Sequence, residues 1–328
     1  MTGRFDTPDK NTVREVWNTP VLRYLHDNHR IKYRYLGLPG VDLIDIKLWK
    51  DMIEEVIAFE LPDPGPDERR SIIQLKRNLE LVLARVPWKA YYGSIEQVIL
   101  LREDIDGSKY TQTKLVTLYN LDFCDEITSK IPTREGKKCL RFELIRQLLT
   151  DQHECFRNNP ELDTFIILLT ARNQTSSRFM RSYLADEEDL DASTHSFVKK
   201  ANKARPIPRD NRPLIEDYGW ALKAFIFNTI HSYLATPHLT CLLFPMVQYT
   251  GRPVSNIIAS PMMHWMFLCK FENPQLPRAK VYPKNFLFKS SLTVSGESIN
   301  ISKGPGEVYH SMVDPLTIFK EYEKYFFS

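Results

Sequence analysis

The chain has 328 residues, of which 43% are hydrophobic, enough to form a large core within one or two domains. Its formal net charge of +3 gives no overall electrostatic sign of nucleic-acid binding, so any basic surface must be local. The five cysteines are scattered without a CxxC pair, which argues against a zinc site or a disulfide framework. The sequence contains no apolar signal segment and no run long enough to span a bilayer, so we expect a cytoplasmic protein without a membrane partner.

The first predicted elements form a βαβ unit. After an N-terminal helical region over residues 12–26, a strand over 33–36 leads into the turn GLPG at 37–40. A helix over about 42–53 follows, and a second strand covers 55–59. Because two parallel strands need a crossover connection, this pattern predicts neighbouring parallel strands joined by a helix.

The turn and the acid that closes this unit predict a nucleoside site. Glycine lacks a Cβ, so the backbone N–H groups around Gly37 and Gly40 can approach a ligand closely. Glu60 follows Gly40 by 20 residues, a spacing at which its carboxylate is placed to accept hydrogen bonds from a ribose diol. The same residues are also compatible with a common Gly-Pro turn followed by a solvated strand end.

The remaining predicted elements continue the alternation of strands and helices. Further strands are predicted over residues 88–92, 115–119, 164–170, 239–249 and 264–271, and the helices between them begin near residues 68, 95, 137 and 214. This order predicts a three-layer α/β fold with a mostly parallel sheet and right-handed crossovers. The last two of these strands have no helix between them, which predicts an antiparallel pair at one edge. A hairpin within 281–303 and a short helix after Asp314 complete the chain.

This order of elements resembles the class I S-adenosylmethionine-dependent methyltransferase family, in a divergent Rossmann-type form. The resemblance divides the chain into an N-terminal helical segment over 1–30, a methyltransferase-type domain over 31–272 and a C-terminal hairpin and helix over 273–328. A charged, proline-broken insertion is expected within the domain at about 176–213. The arrangement is also similar to that of methyltransferase-like proteins found beside bacterial restriction and phage-defence genes.

The resemblance implies S-adenosylmethionine as the cofactor. The turn with Gly37, Pro39 and Gly40 lies where the family holds the methionine part of this cofactor. Glu60 matches the acidic residue that holds the ribose, and Ser94 lies where the family contacts the adenine. These five residues are therefore the expected cofactor-binding set.

The expected substrate side lies at the ends of the next two strands. The motif NLDF at 120–123 is similar to the family's substrate-side motif, so Asn120 and Asp122 are the expected catalytic residues and Phe123 an expected substrate contact. Arg172 and Asn173 follow the fifth strand. Ligands in open α/β sheets bind outside the carboxyl ends of the strands, so we expect both residues to line the same cleft.

A basic stretch at residues 199–212 is the predicted nucleic-acid contact, and it begins with Lys199 and Lys200. Lysine and arginine on a loop bind phosphates without reading base sequence. The alternative is a solvated insertion whose basic residues pair with the acidic run over 186–191. The expected methyl acceptor is an amine or a hydroxyl, and a nucleic acid is one candidate to carry it.

Two other functions stay open at this point. Tyr35 stands where the family has an acidic residue, and the spacing G-x-P-G replaces G-x-G-x-G, which favours a catalytically silent scaffold subunit within a larger complex. The other alternative is a metal-dependent nuclease built on Asp122, Asp125 and Glu126. No metal site is otherwise expected from the spacing of histidines, cysteines and acids.

Overall fold

The structure is a computed structural model that describes residues 7–127, 131–133, 136–138, 141–160, 162–172, 239–250, 261–271, 291–295, 298–302, 308–312 and 314–327. The predicted insertion at 176–213 and the predicted helix at 214–234 lie outside these residues. Within the described part no helix is both long and apolar enough to cross a membrane.

The described elements follow the predicted alternation as far as Arg172. The helices are α1 (Pro8–Thr12), α2 (Thr19–His29), α3 (Ile44–Trp49), α4 (Arg70–Val82), α5 (Ile95–Leu101), α6 (Arg141–Asn158) and α7 (Pro315–Tyr322), with a π-helix at Val13–Asn18 and a 3-10 helix at Glu323–Tyr325. The strands are β1 (Tyr33–Gly37), β2 (Ile53–Glu60), β3 (Trp88–Tyr92), β4 (Leu118–Glu126), β5 (Ile131–Thr133), β6 (Gly136–Lys138), β7 (Thr164–Arg172), β8 (Leu239–Leu243), β9 (Val247–Thr250), β10 (Pro261–Phe271), β11 (Ser291–Ser295), β12 (Ser298–Ser302) and β13 (Val308–Met312).

One sheet of 11 described strands organises the chain, in the order β3-β2-β1-β4-β7-β10-β9-β11-β12-β13, with β8 also paired to β10. The pairs β3–β2, β2–β1, β1–β4 and β4–β7 are all parallel. Strand β10 runs antiparallel to β7 and to both β8 and β9. The sheet therefore confirms the predicted fold class, a Rossmann-like methyltransferase fold with parallel strands followed by an antiparallel one.

Helices cover both faces of this sheet, as the near-continuous burial of its central strands requires. On one face the core includes residues of α2, α3, α4 and α7, and on the other it includes residues of α5 and α6. Side chains alternate between the faces along each strand. In β4, for example, Leu118 joins the first core while Tyr119 and Leu121 join the second.

The structure differs from the sequence-based expectation at two places. The fourth strand covers Leu118–Glu126 instead of 115–119, so the motif at 120–123 lies within the strand and not after it. The strand extends because β7 continues to pair with it as far as Glu126. The predicted antiparallel pair is present, but the sheet continues beyond it, since β11 pairs with β9 and brings the C-terminal hairpin into the same sheet.

Gly37 is the point at which the end of β1 lies closest to β4. A Cβ added to this residue would lie 2.3 Å from the carbonyl oxygen of Asn120, a distance that requires backbone movement. At Gly40, where φ is +63°, an added Cβ would meet no atom within 4 Å. The two glycines of the turn are therefore required for different reasons, steric contact at the first and backbone conformation at the second.

This contrast predicts different stabilities for two alanine variants. Gly37→Ala is expected to lower the free energy of unfolding by about 2 to 3 kcal/mol, because overpacked sites are relieved only by backbone shifts. Gly40→Ala is the control and is expected to lose only about 1 kcal/mol, the cost of a left-handed non-glycine residue. Urea denaturation of both variants measures the difference, and equal losses would contradict the steric argument.

Candidate functional site

The glycine turn begins between two neighbouring strands, near the carboxyl end of β2 and the first residues of β4. Gly37 pairs with Ala58 of β2 on one side and with Asn120 of β4 on the other. The Leu38 N–H donates to the Asn120 carbonyl at 3.2 Å, and the Leu43 N–H donates to the Gly40 carbonyl at 3.3 Å. The space beyond Gly40 is open among the described residues, so the backbone of the turn is accessible there.

Glu60 closes β2 two residues after the partner of Gly37, at the same edge of the sheet. Its Oε1 accepts a hydrogen bond from the Leu61 N–H at 3.1 Å. Burial raises the pKa of the Glu60 carboxyl from its usual 4.5 to about 7, the nearby Asp63 raises it further, and the Leu61 N–H opposes the shift. Near neutral pH this carboxyl exchanges readily between its ionised and protonated forms, and a diol donating to it favours the ionised form.

Ser94 follows the next strand along the same edge. Tyr92 pairs with Glu60, and the Gly93 N–H donates to the Glu60 carbonyl at 2.9 Å, so Ser94 begins α5 beside the end of β2. The Ser94 hydroxyl oxygen accepts from the Gln97 N–H at 3.1 Å and thereby caps the helix. A hydroxyl oxygen has a second lone pair, so this cap leaves Ser94 able to accept another hydrogen bond.

The side-chain amide nitrogen of Asn120 donates two hydrogen bonds within the protein. Its amide nitrogen donates to the Tyr35 hydroxyl at 3.1 Å and to Asp45 Oδ2 at 2.9 Å. Arg14 pairs with the other Asp45 oxygen, its Nε lying 2.5 Å from Oδ1. Burial raises the pKa of Tyr35 well above its ordinary value, so its hydroxyl stays protonated. Asn120 therefore connects β1 and β4 to the N-terminal helices and is not displayed in an open cleft.

Asp122 lies on the same face of β4 and is also covered by the N-terminal segment. Its Oδ2 forms an ion pair with the ammonium group of Lys10. The side chains of Lys10 and Asp122 are 12% and 9% exposed, so the pair is almost entirely removed from water. Among the described residues, no hydrogen-bond donor reaches the other buried oxygen, Oδ1.

A neutral histidine extends this polar row across the sheet. Thr170 of β7 pairs with Asp122 on one side and with His264 of β10 on the other. His264 Nδ1 lies 2.8 Å from Thr170 Oγ1, and its Nε2 lies 2.9 Å from Asn18 Oδ1. Burial lowers the pKa of His264 to about 3, outweighing the opposite effect of Asp122, so the imidazole is uncharged at neutral pH. The charge in this row is therefore carried by Asp122 and Lys10.

Phe123 is separated from Asn120 and Asp122 by the alternation of the strand. It is buried in the other core, and the Arg141 guanidinium carbon lies 4.6 Å from the centre of its ring. Arg141 Nε in turn lies 3.1 Å from Glu96 Oε1. The structure therefore does not bring Phe123 together with the other two members of the motif.

The other expected substrate contacts fall into two groups. Arg172 ends β7, where its backbone pairs with Glu126 and Met262, so it reaches the carboxyl edge of the sheet. Asn173, Lys199 and Lys200 lie outside the described residues. The described part of the chain contains no group of three or more His, Cys, Asp or Glu side chains that could hold a metal ion.

Several residues of the polar row escaped prediction from the sequence. They are Lys10, Arg14, Asn18, Asp45, Thr170 and His264. What these residues share in the sequence is that they are polar residues within otherwise apolar helices and strands. This pattern indicates buried polar groups with partners, but it does not identify the partners.

Comparisons with known proteins give the following. No protein-family model and no curated protein matches the sequence. A solved rRNA methylase from Streptococcus thermophilus is 10% identical with a TM-score of 0.35, covering 83% of this chain and 100% of its own. A putative O-methyltransferase from Klebsiella pneumoniae is 12% identical with a TM-score of 0.35, covering 83% and 93%. The O-methyltransferase TomG from Streptomyces achromogenes, solved in complex with SAM, is 11% identical with a TM-score of 0.34, covering 83% and 93%.

At this level of similarity the fold assignment rests on the strand order of the chain itself. The parallel run β3-β2-β1-β4-β7 next to the antiparallel β10 is the arrangement that carries it.

The raised pKa of Glu60 predicts a stabilising variant. When the pKa of an acid is higher in the folded than in the unfolded state, the free energy of unfolding falls as the pH rises between the two values. For Glu60 this range is from 4.5 to about 7. Glu60→Gln removes this loss, so we expect the variant to exceed the native protein in unfolding free energy by about 1 to 3 kcal/mol above pH 7. Urea denaturation at pH 5 and pH 8 measures the change, and a difference that does not grow with pH would contradict it.

Proposed function

We propose that the chain binds S-adenosylmethionine at the carboxyl ends of β1, β2 and β3 and is a divergent S-adenosylmethionine-dependent methyltransferase. The observation that carries the proposal is the position of a glycine turn and a half-buried carboxyl group on neighbouring parallel strands. Gly37 pairs with Ala58, and Glu60 follows two residues later at the same edge. Burial raises the pKa of this carboxyl to about 7, and carboxyl groups with raised pKa values cluster at functional sites.

The residues at this edge suit the parts of such a cofactor. The turn at Gly37, Pro39 and Gly40 would receive its amino-acid part, since no Cβ covers the N–H groups of the two glycines. The carboxylate of Glu60 would accept hydrogen bonds from both hydroxyl groups of the ribose. The Ser94 hydroxyl has a lone pair available for the exocyclic amine of adenine.

Exposed apolar side chains near this edge offer contacts for an adenine ring. Leu61, directly after Glu60, is 55% exposed, and Ile105 is 56% exposed. The Ile105 N–H donates to the carbonyl of Tyr92, the residue that pairs with Glu60, so both side chains start close to the same strand ends. On the proposed function, these two side chains would contact the faces of the adenine ring.

When bound, the cofactor supplies an electrophilic methyl group, so the protein need only align donor and acceptor and exclude water. Asn120 and Asp122 are the nearest polar side chains of β4, and we propose that they position an amine or hydroxyl acceptor. A nucleic acid that contacts Lys199 and Lys200 is one candidate acceptor, and Arg172 would face the same edge. Of the three acids of the nuclease alternative, Asp122 pairs with the ammonium of Lys10, and the side chains of Asp125 and Glu126 lie outside the described part of the chain, so this alternative gains no support.

A second candidate function is a silent nucleoside-binding or scaffold subunit within a larger complex. It is favoured by the engagement of Asn120 with Tyr35 and Asp45, which leaves its amide no free donor in this conformation. On this hypothesis the cofactor edge is retained while the acceptor side serves the fold.

The nucleoside site is tested by calorimetry with methylthioadenosine, which keeps the ribose and adenine but has no titrating amino-acid part. If the ribose binds the ionised Glu60, affinity should rise about tenfold from pH 6 to pH 8, as the carboxyl ionises around pH 7. Glu60→Gln should bind more weakly and without this pH dependence. Glu80→Gln, at an exposed position of α4, is the matched control and should behave as the native protein.

Three results separate the hypotheses. Absence of binding to methylthioadenosine and to S-adenosylmethionine at millimolar concentration would exclude both the enzyme and the nucleoside-binding scaffold. Binding that does not depend on pH would exclude the role given to Glu60. Binding with the expected pH dependence would support the cofactor site and leave the transfer step to acceptor experiments.

A further inference from the structure

The ion pair between Lys10 and Asp122 has an unusual position in the molecule. Asp122 lies in the middle of β4, next to the row of Thr170 and His264, where the acceptor side of the proposed site begins. Its side chain is 9% exposed, and one of its oxygens contacts the ammonium group of Lys10. Lys10, which supplies this ammonium group, is far from Asp122 in sequence.

The pair is only half satisfied. A carboxylate has about four acceptor positions, and burying one without partners for them is costly. Oδ1 of Asp122 is buried and receives no hydrogen bond within the described part of the chain. Asp45 differs in that both of its oxygens lie beside a partner: Oδ2 accepts from Asn120, and Oδ1 forms an ion pair with Arg14, although without hydrogen-bond geometry. Among the described residues, Asp122 is therefore a buried carboxylate with one oxygen that no partner contacts.

Lys10 is carried by a short helix that is less buried than the one that follows. Helix α1 (Pro8–Thr12) has one turn, and four of its five residues are half-buried or exposed. The π-helix that follows is anchored by Val13 and Trp17, which are 3% and 0% exposed. The anchoring of the π-helix in the core therefore does not depend on the position of Lys10.

We propose that Asp122 is the docking group for an alkylammonium group of the methyl acceptor, and that the ammonium of Lys10 occupies this position as an internal stand-in. The substrate class is inferred from the cation that the site already binds, a primary amine on a flexible alkyl chain. Acceptor binding then requires α1 to move aside. The identification of the ligand as a methyl acceptor rests on the proposed function, but the binding of an alkylammonium group to Asp122 is measurable without cofactor.

The test is rescue of Lys10→Ala by propylammonium, which replaces the three methylene groups and the amine removed from the side chain. Loss of Lys10 leaves Asp122 buried without a counterion, so the melting temperature should fall by about 5 °C or more. Propylammonium at tens of millimolar should recover at least about half of this fall. Propanol, of the same size without charge, should recover none.

Arg23→Ala is the matched control, because Arg23 forms an exposed ion pair with Asp51 on the same N-terminal region. Its melting temperature should change by less than about 2 °C and should not respond to propylammonium. An unchanged melting temperature in Lys10→Ala, equal rescue by propanol, or an equal response of both variants to propylammonium would each overturn the proposal.

Hydrogen exchange of the native protein gives a second test that does not depend on the folding of any variant. If α1 opens by itself, the amides of residues 8–12 should exchange at least about a hundredfold faster than those of β7 (Thr164–Arg172). Equal protection of the two would show that the segment opens only on global unfolding and would overturn the stand-in role. Calorimetry with methylthioadenosine reports on the cofactor edge separately, so failure of one proposal is distinguishable from failure of the other.

Discussion

The contact between Gly37 and the backbone of Asn120 is the constraint on which the rest of this site depends. It brings the end of β1 against β4 so closely that only glycine fits, with an added Cβ at 2.3 Å from the Asn120 carbonyl oxygen. The same contact joins two regions of different chemistry. On one side lies the open turn beside Glu60, and on the other lies the buried row that begins with Asn120 and Asp122.

These two regions resolve the cost of burying charge in different ways. Glu60 has no ion-pair partner among the described residues, and burial raises its pKa to about 7. Asp45 and Asp122 instead receive cations from the N-terminal helices, through Arg14 and Lys10. The carboxyl charge is therefore unpaired on the side proposed for the cofactor and paired on the side proposed for the acceptor. On this proposal the protein binds a nucleoside directly, whereas an acceptor binds only after a rearrangement.

Much of the fold was predictable because it depends on local pattern. The glycine turn, the strand ending at Glu60 and the apolar strand at Thr164–Arg172 identify parallel strands joined by crossovers, while the order of the strands in the sheet is given by the structure. Predictions were wrong where pairing outweighed pattern. Strand β4 continues through the polar motif at 120–123 because β7 remains beside it, and Phe123 therefore faces the opposite core from Asp122.

The sequence by itself determined the fold class and the neighbourhood of Gly37 and Glu60, because periodicity, turn chemistry and the spacing of the βαβ unit act over short stretches of chain. The tertiary structure alone decided which polar groups meet. Asn18 and His264 are 246 residues apart, and Lys10 reaches Asp122 from a different layer of the fold. No local pattern specifies such partners, since buried polar groups are paired by whichever donor the packing of the whole chain delivers to them.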